Sequence, residues 1–440
     1  MRDVWSCRFH RGVRGICLAA LIAALPSVAY GADSEVDKLA RLQHKLDQSI
    51  QMIEALAARV HELEARQTAP GLAPLAATGP SDAGPRLETV EQKVAQIETS
   101  NATRRTDDTG LPIHGFADVG AGDHNPFNPG LKGFNVGNLD FYLTPRLGER
   151  TLALFELNFE VATNGSVGVD LERAQIGYQF SDQATVWLGR FHTPYGFINT
   201  ALHHGAWISD ALRRPKFVQF EDHGGSLPAH TVGAWLTGSD RAGSGKLLYD
   251  LYAGNGQEIV GGVVDMRNAG NTHGSPIVGG RLGYQFGSGP VDGLTLGLHS
   301  LSSRIDDDQI PVDVTRVNMY GGYAVYDTDR WEHIAELYFF NDRDLTGGSG
   351  SRRSEAGFLQ VGYRAPWGIP YARYERASFK QGDQYFLQQS TGNSYYRTAI
   401  GVRFDIDLKS ALKFELANTR DTDRVVDEYN EALVQYAIRF

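Results

Sequence analysis

The side chains richest in chemical possibilities share one polar stretch, residues 193–229, which holds His203, His204, Asp210, Arg213, Arg214, Lys216, Glu221, Asp222 and His223. Imidazoles invite a metal ion. Adjacent histidines in a loop point in different directions, however, and no Asp, Glu or His spacing around them completes a defined ligand set, so no metal is expected. Arg213, Arg214 and Lys216 suit another task, a basic patch that attracts anions or sorts passing solutes. The competing reading is that the three are solvated, or paired with Asp210, Glu221 and Asp222. Nucleophilic chemistry is poorly served. His299-Ser300 and Ser302-Ser303 are near one another, yet no nucleophile, base and orienting partner stand out as a set. Asp306-Asp307-Asp308 reads as a solvated acidic loop, with a divalent cation bridging lipopolysaccharide as the alternative. Both cysteines, Cys7 and Cys17, precede residue 32. Disulfides, thiolate metal sites and cysteine nucleophiles therefore drop out once a leader is removed.

Such a leader is legible. Arg2, Arg8, Arg11 and Arg14 form a basic n-region, and residues 16–25 are apolar but shorter than the roughly 20 residues a membrane span needs. Ala29-Tyr30-Gly31 then offers small residues for cleavage before Ala32. Residues 1–31 are thus predicted to be a signal peptide, with the remainder exported. Residues 35–66 carry a heptad: Leu39, Leu46, Ile53 and Val60 form one seam, and Leu42, Ser49, Leu56 and Leu63 the other. This spacing predicts an oligomerising coiled coil, with a single amphipathic helix packed elsewhere as the alternative. Residues 67–110 read as a linker, rich in Pro, Ala and Gly at first, with a short second helical segment at Leu87, Val90, Val94 and Ile97.

From residue 111 to 440 the pattern changes to period two. Tyr396, Thr398, Ile400, Val402, Phe404 and Ile406 alternate with Arg397, Ala399, Gly401, Arg403 and Asp405. About sixteen such runs follow one another, near 113–120, 136–146, 151–162, 169–180, 184–192, 230–238, 246–254, 276–287, 293–304, 315–327, 331–341, 354–365, 369–379, 394–406, 410–419 and 429–440. The formal net charge is −10 and no long apolar run follows the leader. Helical membrane proteins are thereby excluded, but barrels are not, because lipid-facing residues alternate with lumen-facing ones. An acidic chain without a basic-aromatic module also speaks against nucleic-acid binding. Tight links near 147–150, 181–183, 327–330, 366–368 and 407–409 fall at every second junction, with long connections expected between them. That parity predicts both barrel ends, and the coiled coil, on the periplasmic side. The fold class is an all-β transmembrane β-barrel behind a helical coiled coil, and a barrel of this strand number leaves an aqueous channel.

Alternation predicts Arg173, Arg190, Arg281, Arg364, Arg373, Arg397, Arg403 and Lys413 on the lumen face, together with Asp140, Glu156, Glu160, Asp250, Glu336, Glu375, Asp405 and Glu415. The longest strandless stretch, 193–229, is expected to be functional. The final run, with Tyr436, Ile438 and Phe440 on its apolar face, must close onto the first strand. Ending on Phe, it resembles the signal by which outer-membrane barrels engage their assembly machinery.

Residues 169–178 (VDLERAQIGY) and 187–196 (WLGRFHTPYG) resemble the phosphate-selective porin O and P family, in which "R-x-A-x-x-G-Y" precedes a strand ending "G-R/Q-F-x-x-P-F/Y-G". The resemblance is good over some 80 residues, and elsewhere covers only the strand-and-loop plan. It implies a sixteen-stranded homotrimeric channel in lipid and lipopolysaccharide, with the loop after the fifth strand folded into the pore. Arg213, Arg214 and Lys216 would then sit at the constriction, with Arg190, Arg173, Arg397 and Arg403 on the lining. The strongly basic lining of that family is not matched here, since the lumen set is mixed. The function expected is a passive, weakly anion-preferring channel for small hydrophilic solutes, phosphate-like anions included, with no cofactor. The alternatives are a structural tether acting through the coiled coil, and an outer-membrane hydrolase.

Overall fold

The computed structural model describes residues 113–123, 133–145, 147–161, 165–203, 206–220, 224–267, 275–389, 392–423 and 426–440. The predicted leader, coiled coil and linker lie outside the described residues. Among the described residues eighteen strands follow in chain order. They are β1 (Ile113–Gly122), β2 (Gly133–Leu143), β3 (Thr151–Val161), β4 (Val167–Ser181), β5 (Ala184–His192), β6 (His230–Ala242), β7 (Gly245–Asn255), β8 (Glu258–Val260) and β9 (Val263–Asp265). The second half holds β10 (Pro276–Gln285), β11 (Leu294–Asp307), β12 (Ile310–Asp327), β13 (Trp331–Asp344), β14 (Ser351–Tyr363), β15 (Ile369–Ser378), β16 (Tyr395–Asp407), β17 (Ser410–Thr422) and β18 (Val426–Arg439). β8 and β9 form a hairpin inside a loop. The other sixteen make one closed antiparallel barrel, in which each strand pairs with its chain neighbour, β7 pairs with β10, and β18 returns to β1. Each of the sixteen expected runs falls on one of these barrel strands.

Side-chain period fixes which face is which. In β16, Arg397, Ala399 and Arg403 are buried inside, while Tyr396 and Ile400 are exposed outside. The same choice repeats around the wall, leaving Leu298 69%, Leu251 61% and Leu188 59% exposed. A continuous apolar outer band around a polar interior is stable in hydrocarbon and unstable in water. No described helix is long and apolar enough to cross a membrane, which is no argument against crossing with strands. Closure is completed by the last residue: Phe440 N–H donates to Gly115 O at 3.0 Å, and Gly115 N–H donates to Phe440 O at 3.2 Å.

One end of the barrel carries short links, such as 182–183, 243–244, 328–330 and 408–409. Aromatic pairs gather there, among them Tyr178–Phe180, Trp331–Tyr363 and Trp367–Phe404, with ring centroids 4.9, 4.8 and 6.4 Å apart. Such girdles mark a membrane interface. The opposite end carries the long connections 193–229, 256–275 and 379–394. Two links at this end depart from the expected pattern, because 308–309 and 423–425 are tight as well. For 308–309 the reason lies in the strands: β12 runs for 18 residues and β11 for 14, so the chain projects outward as paired strand and needs only a turn at the tip. The acidic run is accordingly only partly solvated, with Asp308 exposed in the turn. Asp306 is buried, and Asp306 and Asp307 pair in parallel with Glu258 and Ile259 of β8. Asp308 Oδ2 accepts from Gly261 N–H at 3.2 Å, anchoring the loop hairpin.

Candidate functional site

The connection after β5 does not cover the outside; it crosses the lumen. Its root is tied by local hydrogen bonds. Thr193 N–H donates to Ala229 O at 2.9 Å, and the Asn199 amide donates to both Thr193 O and Ala229 O, at 2.9 and 2.8 Å. A four-residue helix, α1 (Ile198–Ala201), starts against the far wall. Glu336 of β13 accepts from the Phe197 and Ile198 N–H groups at 2.7 Å each, and also from Tyr338 Oη. Arg281 of β10, paired with Asp250 of β7 at 2.7 Å, donates to Gly196 O and Thr200 Oγ1 at 2.8 Å.

Beyond α1 the loop descends toward the short-turn end, where Arg439 lies 4.1 Å over the Trp207 ring. Its backbone carbonyls then become acceptors for the basic side chains of the opposite wall. Lys413 of β17 donates to Ala206 O, and Arg403 of β16 donates to Ser209 O at 3.2 Å and faces Asp210 at 3.5 Å. Arg373 of β15 donates to Arg213 O at 2.7 Å, while Leu212 N–H donates to Tyr371 Oη at 3.0 Å. The loop thus spans from β5 to β15, across the barrel diameter in strand order.

The three loop cations have distinct surroundings. Arg214 is a knot within the loop, donating to Asn199 Oδ1 at 2.8 Å, Val218 O at 2.8 Å and His203 O at 3.2 Å. Lys216 pairs with Asp421 of β17 at 2.7 Å, and its backbone N–H donates to Glu375 at 2.7 Å. Arg213 faces Glu431 of β18 at 3.7 Å. It also borders a cavity of about 70 Å³, with Leu212 on the loop side and Asp118 and Gln435 on the wall. Burial lowers the Arg213 guanidinium from its ordinary value, with the Glu431 charge acting the other way. Arg213 and Lys216 thus meet wall carboxylates and Arg214 meets oxygens of its own loop, while Asp210, one of the expected partners, faces Arg403 and the other two are Glu221 and Asp222. The last two, with His204 and His223, lie outside the described residues.

The lining arginines divide similarly. Arg397 sits among three carboxylates, Glu431, Glu415 at 3.3 Å and Glu375 at 3.6 Å. Arg173 pairs with Glu156. Arg403 also holds Asp405 at 2.8 Å. Arg190 stands apart from this group, donating to the carbonyls of Glu172 and, in the β9–β10 loop, Arg267, at 3.2 and 3.0 Å. Arg364, expected on the lumen face, lies in the β14–β15 link and pairs with Asp327 at 2.6 Å. At the outer mouth three connections meet in an apolar core. Phe217 and Leu227 come from the crossing loop, Ile259 and Met266 from the β7–β10 loop, and Tyr385 and Phe386 from a short helix, α2 (Gln384–Leu387), between β15 and β16. These pack on Ile277, Leu301 and Phe340 of the wall. Sequence reasoning missed this cluster, because separate loops carry its parts without a shared period.

Among the described residues no Ser–His hydrogen bond is found around His299. Ser302 Oγ donates to Asn318 Oδ1 at 2.9 Å and Ser303 Oγ to Arg304 O at 3.3 Å.

A closed sixteen-stranded antiparallel barrel with a lumen-crossing loop is the architecture of a porin-type fold. No protein-family model matches the chain, and no curated protein matches it by sequence. Solved structures do match in fold. The anion-selective porin from Comamonas acidovorans is 16% identical with a TM-score of 0.50, covering 74% of this chain and 98% of its own. The outer-membrane channel DcaP of Acinetobacter baumannii is 12% identical at 0.49, covering 74% and 96%. OmpF of Salmonella typhi, in complex with daunomycin, is 13% identical at 0.49, covering 74% and 97%.

Proposed function

We propose that the chain is an outer-membrane channel for small hydrophilic solutes, restricted by the loop 193–229. The carrying observation is that loop itself: it is bonded at its root, to β13 and to the β15–β18 wall, inside a barrel whose outer face is apolar. A loop so fixed narrows a pore without blocking it by collapse. We read the leader as an export signal and the heptad segment as a periplasmic trimer stalk. The apolar last strand fits recognition by the barrel-assembly machinery. The particular likeness to phosphate-selective porins we take as a likeness of plan. The lumen arginines and lysines that would make a strong anion field are bonded to carboxylates and loop carbonyls, which supports weak selectivity instead. Arg213, beside the cavity, is the candidate for a residual anion preference.

Single-channel conductance in planar bilayers, with reversal potentials under a salt gradient, tests this. Small steps in multiples of three and a weakly anionic reversal potential are expected, and Arg213→Glu should move that potential toward cations. A folded barrel that conducts nothing overturns the channel reading. An unchanged reversal potential in Arg213→Glu removes Arg213 from the constriction.

A further inference from the structure

Three buried imidazoles converge at the root of the crossing loop, His203 of the polar stretch with His192 and His230 of the strands that flank it. His192 ends β5 and His230 begins β6, directly opposite each other in the sheet. His203, two residues beyond α1, folds back onto both. Its ring stacks on His192 with centroids 3.4 Å apart, and its Nε2 lies 3.0 Å from His230 Nε2. The ligand atoms of the three lie within 4.8 Å of one another. A carboxylate joins them: Glu172, at the β4 bulge, places Oε2 2.7 Å from His230 Nε2. Glu156 stands 3.5 Å from His192 Nε2 but is already paired with Arg173. The three histidines and both glutamates are buried, with only Arg173 partly exposed at the edge of the group, so this is an interior site and not a surface histidine patch.

The tautomers favour a cation. His203 Nδ1 lies 2.8 Å from Asn199 O, which can only accept. The proton therefore sits on Nδ1, and the Nε2 lone pair faces His230 Nε2. An imidazole whose far nitrogen is fixed by a backbone carbonyl is the usual support of a metal-ligating histidine. Ligand atoms around tetrahedral zinc are about 3.3 Å apart at ordinary Zn–N distances. The 3.0 and 2.7 Å separations need a few tenths of an ångström of spreading, while the other imidazole atoms, within 4.8 Å of one another, and the Glu172 carboxylate, which lies outside that group, have to draw in around the ion. Imidazole with one carboxylate suits zinc, nickel or copper, whereas calcium and magnesium demand oxygen.

We propose that His192, His203, His230 and Glu172 bind one divalent transition-metal ion, which staples the lumen loop to the ends of β5 and β6. The ion would cross-link both roots of the connection through residues that the Asn199 knot already orients.

The test uses untagged full-length protein, folded in detergent, stripped with chelator and titrated with Zn²⁺ by calorimetry, with metal content counted after dialysis. One tightly held zinc per chain is expected. His203→Gln and Glu172→Gln should each weaken binding by roughly tenfold or more, while His114→Ala, at the exposed start of β1, should not. Heat-modifiable mobility reports folding of every variant independently. Folded wild type that retains no zinc overturns the proposal. So does zinc binding left unchanged in a folded His203→Gln, His230→Gln double variant, which would place the ion elsewhere. Neither result depends on whether the barrel conducts.

Discussion

Arg397 marks the densest buried charge in the lumen, with three carboxylates on one guanidinium that is about 5% exposed. Removing the cation leaves Glu375, Glu415 and Glu431 facing one another in a poorly hydrated space. Breaking a buried network this way costs on the order of 3–5 kcal/mol, far more than a surface pair. Arg397→Met should therefore lower the urea midpoint of the folded barrel markedly, and adding Glu431→Gln should recover part of the loss. An unchanged midpoint for the single variant would mean that water reaches and screens the cluster. Alternation had placed Arg397 and Arg403 inward because a two-residue period fixes the face a residue occupies. It says nothing about partners. The salt links to Glu431 and Asp421 depend on how far the loop descends, and the histidine triad exists only because β5 and β6 bring His192 and His230 together. Neither distance was legible in the sequence.

At the scale of elements, the segment that turns from β5 into the lumen shows why the glycines of its motif stand where they do. Gly189 has φ +123°, and a Cβ there would lie 2.0 Å from Ala174 O. Gly196 has φ +56°, and its Cβ would meet Glu336 Oε2 at 2.3 Å and Tyr338 Oη at 2.7 Å. The second glycine thus lets the backbone approach the carboxylate that caps α1. Gly196→Ala combines left-handed strain with that collision and should cost about 1–3 kcal/mol, read as a lower unfolding temperature and faster proteolysis within 193–229. Proteolysis no faster than wild type would show that the loop is held by the β15–β18 contacts alone. Strands were legible almost completely, since each carries its own period and turn. The long connections were legible only as lengths. Their packing against one another, as in the bond from Tyr385 Oη to Ser226 O at 2.8 Å, joins segments far apart in the chain.

For the whole molecule, the decisive step is closure. Every other wall contact joins chain neighbours or strands separated by one loop, so hairpins can form early and locally. The β1–β18 seam joins the two ends of the barrel, where loop-closure entropy is greatest, and contacts of that separation form late. Phe440 belongs to this seam through its backbone bonds with Gly115 and an edge-to-face contact with Phe141, ring centroids 5.8 Å apart. Interactions formed after the folding transition state alter unfolding and leave folding nearly unchanged. Phe440→Ala, which keeps the backbone bonds, should accordingly speed unfolding from lipid vesicles severalfold while refolding from urea hardly slows. If recognition by the assembly machinery also reads this residue, delivery in cells falls by more than the in-vitro stability predicts. A variant that refolds slowly in pure lipid would instead put the seam in the folding nucleus, and closure would then guide the hairpins rather than follow them.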